Sequence, residues 1–418
     1  MKRQGSFRIA IRKFGPFESA IQKQWTSFES IAHTGLSLEA EPFDLHPLQE
    51  SLFAQQGLVR GDWDIAFINT DWVSSIHSSG AVVDLSSYLL FNPPEGYPHG
   101  WSDSLLQLQK IDGSIVGFPY HDGPECFIYR KDLFDNPQEK AEYKKRYGIS
   151  LNPPRTWQEF WQIAHFFHRP QEKLYGTAFA AFPDGHNTVY DFLLQLWTRG
   201  GDLFDQSGKI CFNTPEAIEA LTFYRAVLQD QAAVHPACRK MDSVQLGLAF
   251  AAGEVAMMVN WFGFATMAET MENTNVRGRV GIANIPHGEK GTSTSLNIYW
   301  MLSIAAGSLH SDIAYKFLRH CASAEMDRLL TLEGGTGCRK STWNDAAVNQ
   351  IAPFYRQLEG FHSTARGLPR LTQWPQAASI IDDLIVSAIE TKRQISELLK
   401  NADEKIATIF SQDDNATL

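Results

Sequence analysis

The sequence lacks the cysteine and histidine spacings that hold metal ions. Its 418 residues contain five cysteines, with no C-x-x-C pair and no histidine pair at zinc-finger spacing. We therefore expect no metal site and interpret the cysteines as buried free thiols. One disulfide stays possible if the protein is exported. The cysteines are Cys126, Cys211, Cys238, Cys321 and Cys338.

The motifs of several enzyme classes are also missing. The chain has no H-E-x-x-H, G-x-S-x-G, P-loop or G-x-G-x-x-G sequence. The glycine-rich segment 334–341 has the wrong spacing for a phosphate loop and is interpreted as a turn. Asp382 and Asp383 are adjacent on a predicted helix and diverge, whereas glycoside hydrolysis needs two carboxylates about 5–10 Å apart. We predict a protein that is not an enzyme and uses no cofactor or nucleotide.

Positive charge is not in excess. The formal net charge is −10, which argues against a nucleic-acid backbone or an anionic lipid surface as partner. A chain of 418 residues, 44% of them hydrophobic, exceeds what one core usually serves, so we expect two lobes. The first 15 residues show no apolar signal-peptide core. Either the protein is cytoplasmic or an export signal was removed, and the residues leave both possibilities open.

Alternating strands and helices are predicted in the N-terminal part. Strands are expected at 7–13, 36–40 and 63–69, with helices near 18–32 and 46–57 between them. This β-α-β-α-β order is typical of a parallel sheet covered by helices. Ligands bind such sheets at the carboxyl ends of the strands. Here those ends are the segments 13–16 and 69–72.

The most apolar run of the chain, Leu248 to Ala268, raises the question of a membrane span. Glu254 near its middle is costly in lipid and Gly253 marks a break. We predict a helix, a turn, a buried strand at 255–259 and a loop that begins at Asn260. That loop would carry Trp261 to a site.

Further along the chain, local signals predict helix starts and turns. Thr156 and Glu159 form a capping box, and Thr214 precedes Pro215 at a second helix start. A hairpin turn is expected at 205–208. The other predicted strands are 280–286 and 298–306, and the other predicted helices are 312–322, 375–391 and 393–410.

Aromatic residues at predicted loop positions indicate a binding site. For each ring taken singly, burial in the core is the more common outcome. A sugar ring nevertheless presents an apolar face that suits an aromatic ring, while its hydroxyls need amide or carboxylate partners. The rings are Phe14, Trp72, Tyr120, Trp197, Trp261, Tyr299, Trp300 and Trp374, and the polar candidates are Asp71, Asp122, Asn260 and Asn297.

Five blocks follow one another along the chain: GSIVGFPYHDGPECFIYRKDLF, PPRTWQEFWQIAHFF, GGDLFDQSGKICFNTPEAIEALTFY, AFAAGEVAMMVNWFG and AYKFLRH. In this order they resemble the carbohydrate-binding (family 1, maltose-binding-like) extracellular solute-binding proteins of ABC importers. The chain departs from the family pattern at Arg130, where asparagine is usual. It departs again at 337–341, which lacks the usual proline. The lipid-attachment cysteine or signal peptide is absent.

The resemblance implies an α/β, two-lobe periplasmic-binding-protein fold of type II, with open sheets covered by helices and lobes joined by crossover strands. Lobe one would comprise 1–121 and 299–343, and lobe two 122–298 and 344–418. A carbohydrate (a mono- or oligosaccharide, a glycoside or a polyol) would bind in the cleft and close it by a hinge. The ligand-binding residues would be Lys13, Phe14, Asp71, Trp72, Tyr120, His121, Asp122, Trp261, Asn297, Tyr299, Arg339 and Trp374.

The resemblance further implies a monomer in the periplasm, or outside the cell at the membrane, that delivers its solute to ABC permease subunits. Two other interpretations stay open. The same fold serves as the ligand receptor of a membrane sensor kinase, and a carbohydrate-active enzyme such as a glycoside hydrolase would also bind sugars.

Overall fold

The chain folds into two compact units in a computed structural model that describes residues 5–205 and 208–413. Unit 1 contains the chain up to Pro124, Asn297–Ser363 and Gly367–Thr372. Unit 2 contains Glu125–Leu296, Thr364–Arg366 and the chain from Gln373. Each unit is built around its own sheet.

Unit 1 is an α/β unit with a five-stranded sheet in the order β2-β1-β3-β12-β6. The first three neighbours run parallel, and β12 is antiparallel to both β3 and β6. The strands of unit 1 are β1 (Ser6–Arg12), β2 (Ser37–Phe43), β3 (Ile65–Asn69), β4 (Lys110–Ile111), β5 (Ser114–Ile115), β6 (Phe118–His121) and β12 (Trp300–Ile304). Its helices are α1 (Gly15–Ala32), α2 (Leu45–Gln49), α3 (Gly57–Arg60), α4 (Val73–Ser78), α5 (Ser86–Phe91), α6 (Asp103–Leu108), α14 (Ser311–Cys321), α15 (Ala324–Leu332), α16 (Lys340–Trp343), α17 (Ala346–Ile351) and α18 (Leu358–Thr364).

Unit 2 has a four-stranded sheet in the order β10-β7-β9-β8. Strand β9 lies inside this sheet, which explains its apolar sequence. The strands of unit 2 are β7 (Glu125–Arg130), β8 (Tyr175–Thr177), β9 (Val255–Trp261), β10 (Val280–Ala283), β11 (Ser295–Leu296) and β13 (Ala365–Arg366). Its helices are α7 (Lys131–Phe134), α8 (Pro137–Tyr147), α9 (Trp157–Phe167), α10 (Asn187–Trp197), α11 (Pro215–Gln229), α12 (Ser243–Ala251), α13 (Phe262–Thr270), α19 (Trp374–Glu390) and α20 (Ile395–Asp413).

The predicted helix starts are confirmed. The Thr156 hydroxyl accepts the backbone N–H of Glu159, and the Glu159 carboxylate accepts the N–H of Thr156, so both halves of the capping box are present at α9. Thr214 caps α11 in the same way through the N–H of Ala217. Of the predicted hairpin turn, 206–207 lie outside the described residues, but Phe204 and Ile210 form the expected antiparallel bridge.

The predicted loop at Asn260 is wrong. Strand β9 continues through Trp261, because Asn260 and Trp261 pair with Cys126 and Glu125 of β7. Helix α13 then starts at once and buries nearly all of its residues. The glycine at 263 indicated a loop, but the apolar residues around it pack as a helix.

The predicted helix 46–57 is also wrong, because the segment does not form one continuous helix. Helix α2 ends at Gln49, a π-helical turn follows over Glu50–Ala54, and α3 starts at Gly57. Gln56 is left-handed, with φ 57°. A Cβ at Gly57 would lie 2.6 Å from the carbonyl oxygen of Ser51, so the chain turns back closely on itself here.

The lobe boundaries expected from the resemblance differ from the observed units in one substantial segment. Residues 344–363 belong to unit 1 and not to lobe two. Their contacts explain this. The Tyr355 hydroxyl donates to the carbonyl of Gly335 at 2.9 Å, and the Asn349 amide donates to the carbonyl of Trp343 at 2.7 Å.

The cysteines are free thiols, four of them buried and Cys211 partly exposed. Within residues 5–205 and 208–413, no helix is long and apolar enough to cross a membrane.

Candidate functional site

The carboxyl edge of the unit 1 sheet brings several predicted residues together. In the sheet register, Trp300 at the start of β12 lies opposite Asn69 at the end of β3 and opposite His121 at the end of β6. Strand β1, parallel to β3, ends on the same side at Lys13 and Phe14. The sheet topology therefore brings together segments that are about 290 residues apart in sequence, because the carboxyl ends of parallel strands lie at the same edge of the sheet.

His121 and Phe14 form the aromatic part of this edge. Their ring centroids are 6.4 Å apart, and both side chains are partly exposed. The Nδ1 atom of His121 accepts the backbone N–H of Thr336 at 2.9 Å, so its remaining proton lies on Nε2. Burial lowers the pKa of His121 to about 4. The imidazole is therefore neutral near pH 7 and can donate one hydrogen bond.

Asn297 and Asp71 line a narrow pocket in unit 1, together with Thr70, Ser74 and Arg370. The pocket has space for about one water molecule. The Asn297 side chain is buried, and its amide nitrogen and oxygen have no hydrogen-bond partner within the described parts of the chain. Because buried amides are normally paired, Asn297 is available to a polar group that enters this pocket.

Three predicted aromatic residues lie in the core of unit 1. Trp72 packs among other aromatic rings, and the hydroxyl of Tyr120 donates to Gln24 Oε1 at 2.9 Å. The hydroxyl of Tyr299 donates to the carbonyl of Leu105 at 2.8 Å. All three are at most 4% exposed. These contacts explain why each ring is held in the interior.

Arg339 and Lys13 also have structural partners. The Arg339 guanidinium donates to the carbonyls of Glu95 and Ala322 and lies 4.5 Å from the ring centroid of Trp101. Such contacts hold neighbouring loops together, so little of the guanidinium group remains to bind a solute. Lys13 is exposed, and its Nζ is 3.8 Å from Asp44.

Asp122 is joined to a histidine that the sequence did not indicate. Its Oδ2 is 2.7 Å from His362 Nε2, and the Nδ1 of His362 is 2.9 Å from the Ser104 hydroxyl. The His362 ring stacks on Trp343 with centroids 5.0 Å apart. Asp122 and His362 are 240 positions apart, so no local pattern connects them. This buried chain holds the end of the β6 segment in place.

In unit 2, Trp261 stands at the end of β9, opposite Glu125 of β7. Its ring is partly exposed and meets Tyr190 of α10 edge-on, with centroids 5.8 Å apart. The sheet fixes its backbone, as a rigid binding platform requires. Trp374, by contrast, is buried at the first turn of α19.

Two buried carboxyl groups lie near each other at this end of the unit 2 sheet, and one of them belongs to the strand partner of Trp261. Glu125 is 5% exposed, and its Oε2 has no hydrogen-bond partner among the described residues. Asp191 follows Tyr190 on α10 and accepts the Tyr224 hydroxyl at 2.7 Å. Burial raises the pKa of Asp191 to about 7, and burial together with the charge of Asp191 raises the pKa of Glu125.

Glu125, Asp191 and Tyr190 were not predicted as site residues. A signal was present, because Glu125 begins and Asp191 lies within a segment that is mostly apolar, ECFIY and YDFLLQLW respectively. A carboxyl group in such a segment is costly unless it has a partner or a function. The segments alone did not show that the two acids meet.

These observations define a two-unit α/β protein with polar and aromatic groups at its sheet ends. The chain belongs to the bacterial extracellular solute-binding protein family, whose model matches residues 13–327. The resemblance drawn from the sequence blocks is thereby confirmed.

Relatives and solved structures agree with this assignment. A protein of Deinococcus radiodurans named "Probable ABC transporter-binding protein" is 23% identical over 368 residues, 86% of this chain and 83% of that one. An Agrobacterium radiobacter K84 solute-binding protein in complex with ribitol matches with a TM-score of 0.85 and 22% identity, over 97% of this chain and 99% of that one. The maltose-bound MalE3 of T. maritima gives 0.84 and 22% over the same shares. The predicted two-lobe fold is confirmed.

Proposed function

We propose that this protein is the substrate-binding component of an ABC importer. It captures a carbohydrate or polyol between its two units by hinge closure and delivers it, outside the cytoplasm, to a membrane permease. It catalyses no reaction. The observation that carries the proposal is the combination of family membership with Trp261, an aromatic ring that is partly exposed at the end of a buried strand.

Within this proposal the predicted residues take different roles. Phe14, Asp71, His121, Asn297 and Trp261 contact the solute, because the first, third and fifth offer partly exposed rings and the other two line the pocket of unit 1. The residues that support these groups from the interior are Trp72, Tyr120, Asp122, Tyr299, Arg339 and Trp374. Lys13 is exposed beside Asp44 and contributes a positive charge at the edge of the solute site.

The test is a thermal-shift screen against mono- and oligosaccharides and polyols, including maltose and ribitol. A solute at about 100 times its dissociation constant adds about 2.7 kcal/mol of stability. The solute is then recovered and analysed by mass spectrometry. We expect a shift, an unmodified solute and no effect of a chelator. Bond cleavage would favour the glycoside hydrolase instead, and a complete absence of shifts would contradict the proposal.

A further inference from the structure

The two buried acids of unit 2, with the rings beside them, form an unusual group that we name the acidic centre. It consists of Glu125, Asp191, Tyr190 and Trp261. Glu125 and Trp261 are direct partners across β7 and β9, Tyr190 of α10 contacts the Trp261 ring, and Asp191 of α10 is close enough to Glu125 for its charge to act on that carboxyl group. Three separate elements, β7, β9 and α10, therefore place two carboxyl groups and an aromatic ring together.

Among the residues that the structure describes, no cation pairs with these acids. Neither Glu125 nor Asp191 forms an ion pair within residues 5–205 and 208–413. Other acids of the same unit do have cations, such as Asp132 with Arg130 and Glu139 with Arg169. Greater solvent exposure does not explain why Glu125 and Asp191 have no cation, because both are more deeply buried than Asp132 and Glu139.

Burial of two neighbouring carboxyl groups is unfavourable when both are ionised. The cost is relieved either by protons on the acids or by a cation that enters the site. The Oε2 atom of Glu125 is buried and has no partner in the described part of the chain, so it offers an acceptor to such a group. The Trp261 ring adds a favourable surface, because a cation over an indole face is stabilised by about 0.5–2 kcal/mol.

We propose that the solute carries a cationic amino group, which binds to Glu125 and Asp191 against the Trp261 ring. The chemical class is an amino sugar or an amino polyol. This inference rests on the proposed function, since it names the kind of sugar or polyol that the same protein captures.

The test compares solutes that differ only in the amino group. Titration calorimetry at pH 6.5 measures D-glucosamine against D-glucose, and 1-amino-1-deoxysorbitol against sorbitol. We expect the amine of at least one pair to bind about tenfold or more tightly, about 1.4 kcal/mol. Glu125→Gln, which keeps the shape but removes the charge, should bring the pair to within about threefold. The control Glu219→Gln changes an exposed acid on α11 and should keep the preference.

A second measurement needs no variant and therefore does not depend on whether Glu125→Gln folds. Calorimetry of the wild-type protein in two buffers of different ionisation enthalpy counts the protons exchanged. An ammonium that replaces a proton of the acidic centre releases protons on binding near pH 6.5. Amine binding without proton release would overturn the inference.

The remaining outcomes separate the two proposals. Neutral sugars or polyols that bind as tightly as their amines overturn the inference and leave the proposed function standing. If neither pair binds, and maltose and ribitol also fail, both are overturned. An amine preference that survives Glu125→Gln and Asp191→Asn would place the cation elsewhere and contradict the assignment to these acids.

Discussion

One buried acid of unit 2 has partners unlike those of two buried acids of unit 1. In unit 1, Asp122 is paired with His362, and the carboxylate of Asp327 accepts the backbone N–H groups of Cys338 and Arg339. In unit 2, Asp191 has the hydroxyl of Tyr224 and no cation among the described residues. Burial alone therefore does not separate an acid that holds the fold from the acid that we propose binds a solute, and their partners must be compared.

The pKa values of two buried groups, one in each unit, shift in opposite directions. Burial lowers the pKa of His121 in unit 1 and raises the pKa of Asp191 in unit 2. The cause is the same, because a poorly solvated site favours the neutral form of either group. The neutral histidine donates a hydrogen bond, whereas the two acids can exchange a proton for a cation.

The largest effect is expected from His362→Ala in unit 1. The variant leaves the Asp122 carboxylate, only 1% exposed, without its partner, and it removes the stack on Trp343. Removing the partner of a buried carboxylate costs about 3–5 kcal/mol of unfolding free energy. Denaturant unfolding measures this loss. The added substitution Asp122→Asn should recover part of it, and strictly additive losses would show that the two side chains do not interact.

The next largest effect is a pH dependence of the unfolding free energy that Asp191 causes in unit 2. The unfolded chain loses the Asp191 proton near pH 4, whereas the folded chain keeps it to about pH 7. Asp191 therefore lowers stability as the pH rises from about 4 to about 7, by at most about 4 kcal/mol. Asp191→Asn lacks this loss, so its stability relative to wild type should increase across that range.

His121 does not disturb this measurement. The lowered pKa of His121 makes stability fall as the pH decreases from about 6.5 to about 4. His121 is present in wild type and in Asp191→Asn, so its contribution cancels when the two stabilities are subtracted. Unfolding free energies at pH 4, 5.5 and 7.5 give the result. A stability difference that is independent of pH would contradict the raised pKa of Asp191.

A smaller effect on stability, but a clear one on binding, is expected from Trp261→Ala. The side chain is partly exposed, so the variant should lose about 1–3 kcal/mol of binding free energy, roughly 5- to 150-fold in affinity. Its unfolding midpoint should change little. Trp72→Ala, in the core of unit 1, is the matched control and should cost about 3–5 kcal/mol of stability. If Trp261→Ala kept its affinity for the solute but lost much of its unfolding midpoint, Trp261 would be a core residue and not a binding residue.

The smallest effect tests whether the units unfold separately. Thr156→Ala removes the cap of α9 in unit 2, and Asp345→Ala removes the cap of α17 in unit 1. Each should cost about 1 kcal/mol. Calorimetry with two transitions should show each variant lowering a different one, whereas a single transition lowered equally by both would mean that the units unfold together.

Local features of this protein followed from the sequence alone. The strands predicted at 7–13, 36–40 and 63–69, which are observed at Ser6–Arg12, Ser37–Phe43 and Ile65–Asn69, and the caps at Thr156 and Thr214 depend on neighbours a few positions apart. The family followed from ordered blocks, and the buried strand at 255–259 followed from its run of apolar residues. Periodicity and capping act within one or two turns, so one sequence carries them completely.

Other features were decided only by the tertiary structure. The contact of Asp122 with His362, the meeting of Glu125 and Asp191, and the place of residues 344–363 in unit 1 join positions far apart in the chain. Helix α13 after Trp261 belongs with them, because nearly all of its residues are buried by packing inside unit 2. The physical reason is that a hydrogen bond or a charge acts over a few ångströms, and which distant residues come that close depends on how the sheets and helices pack.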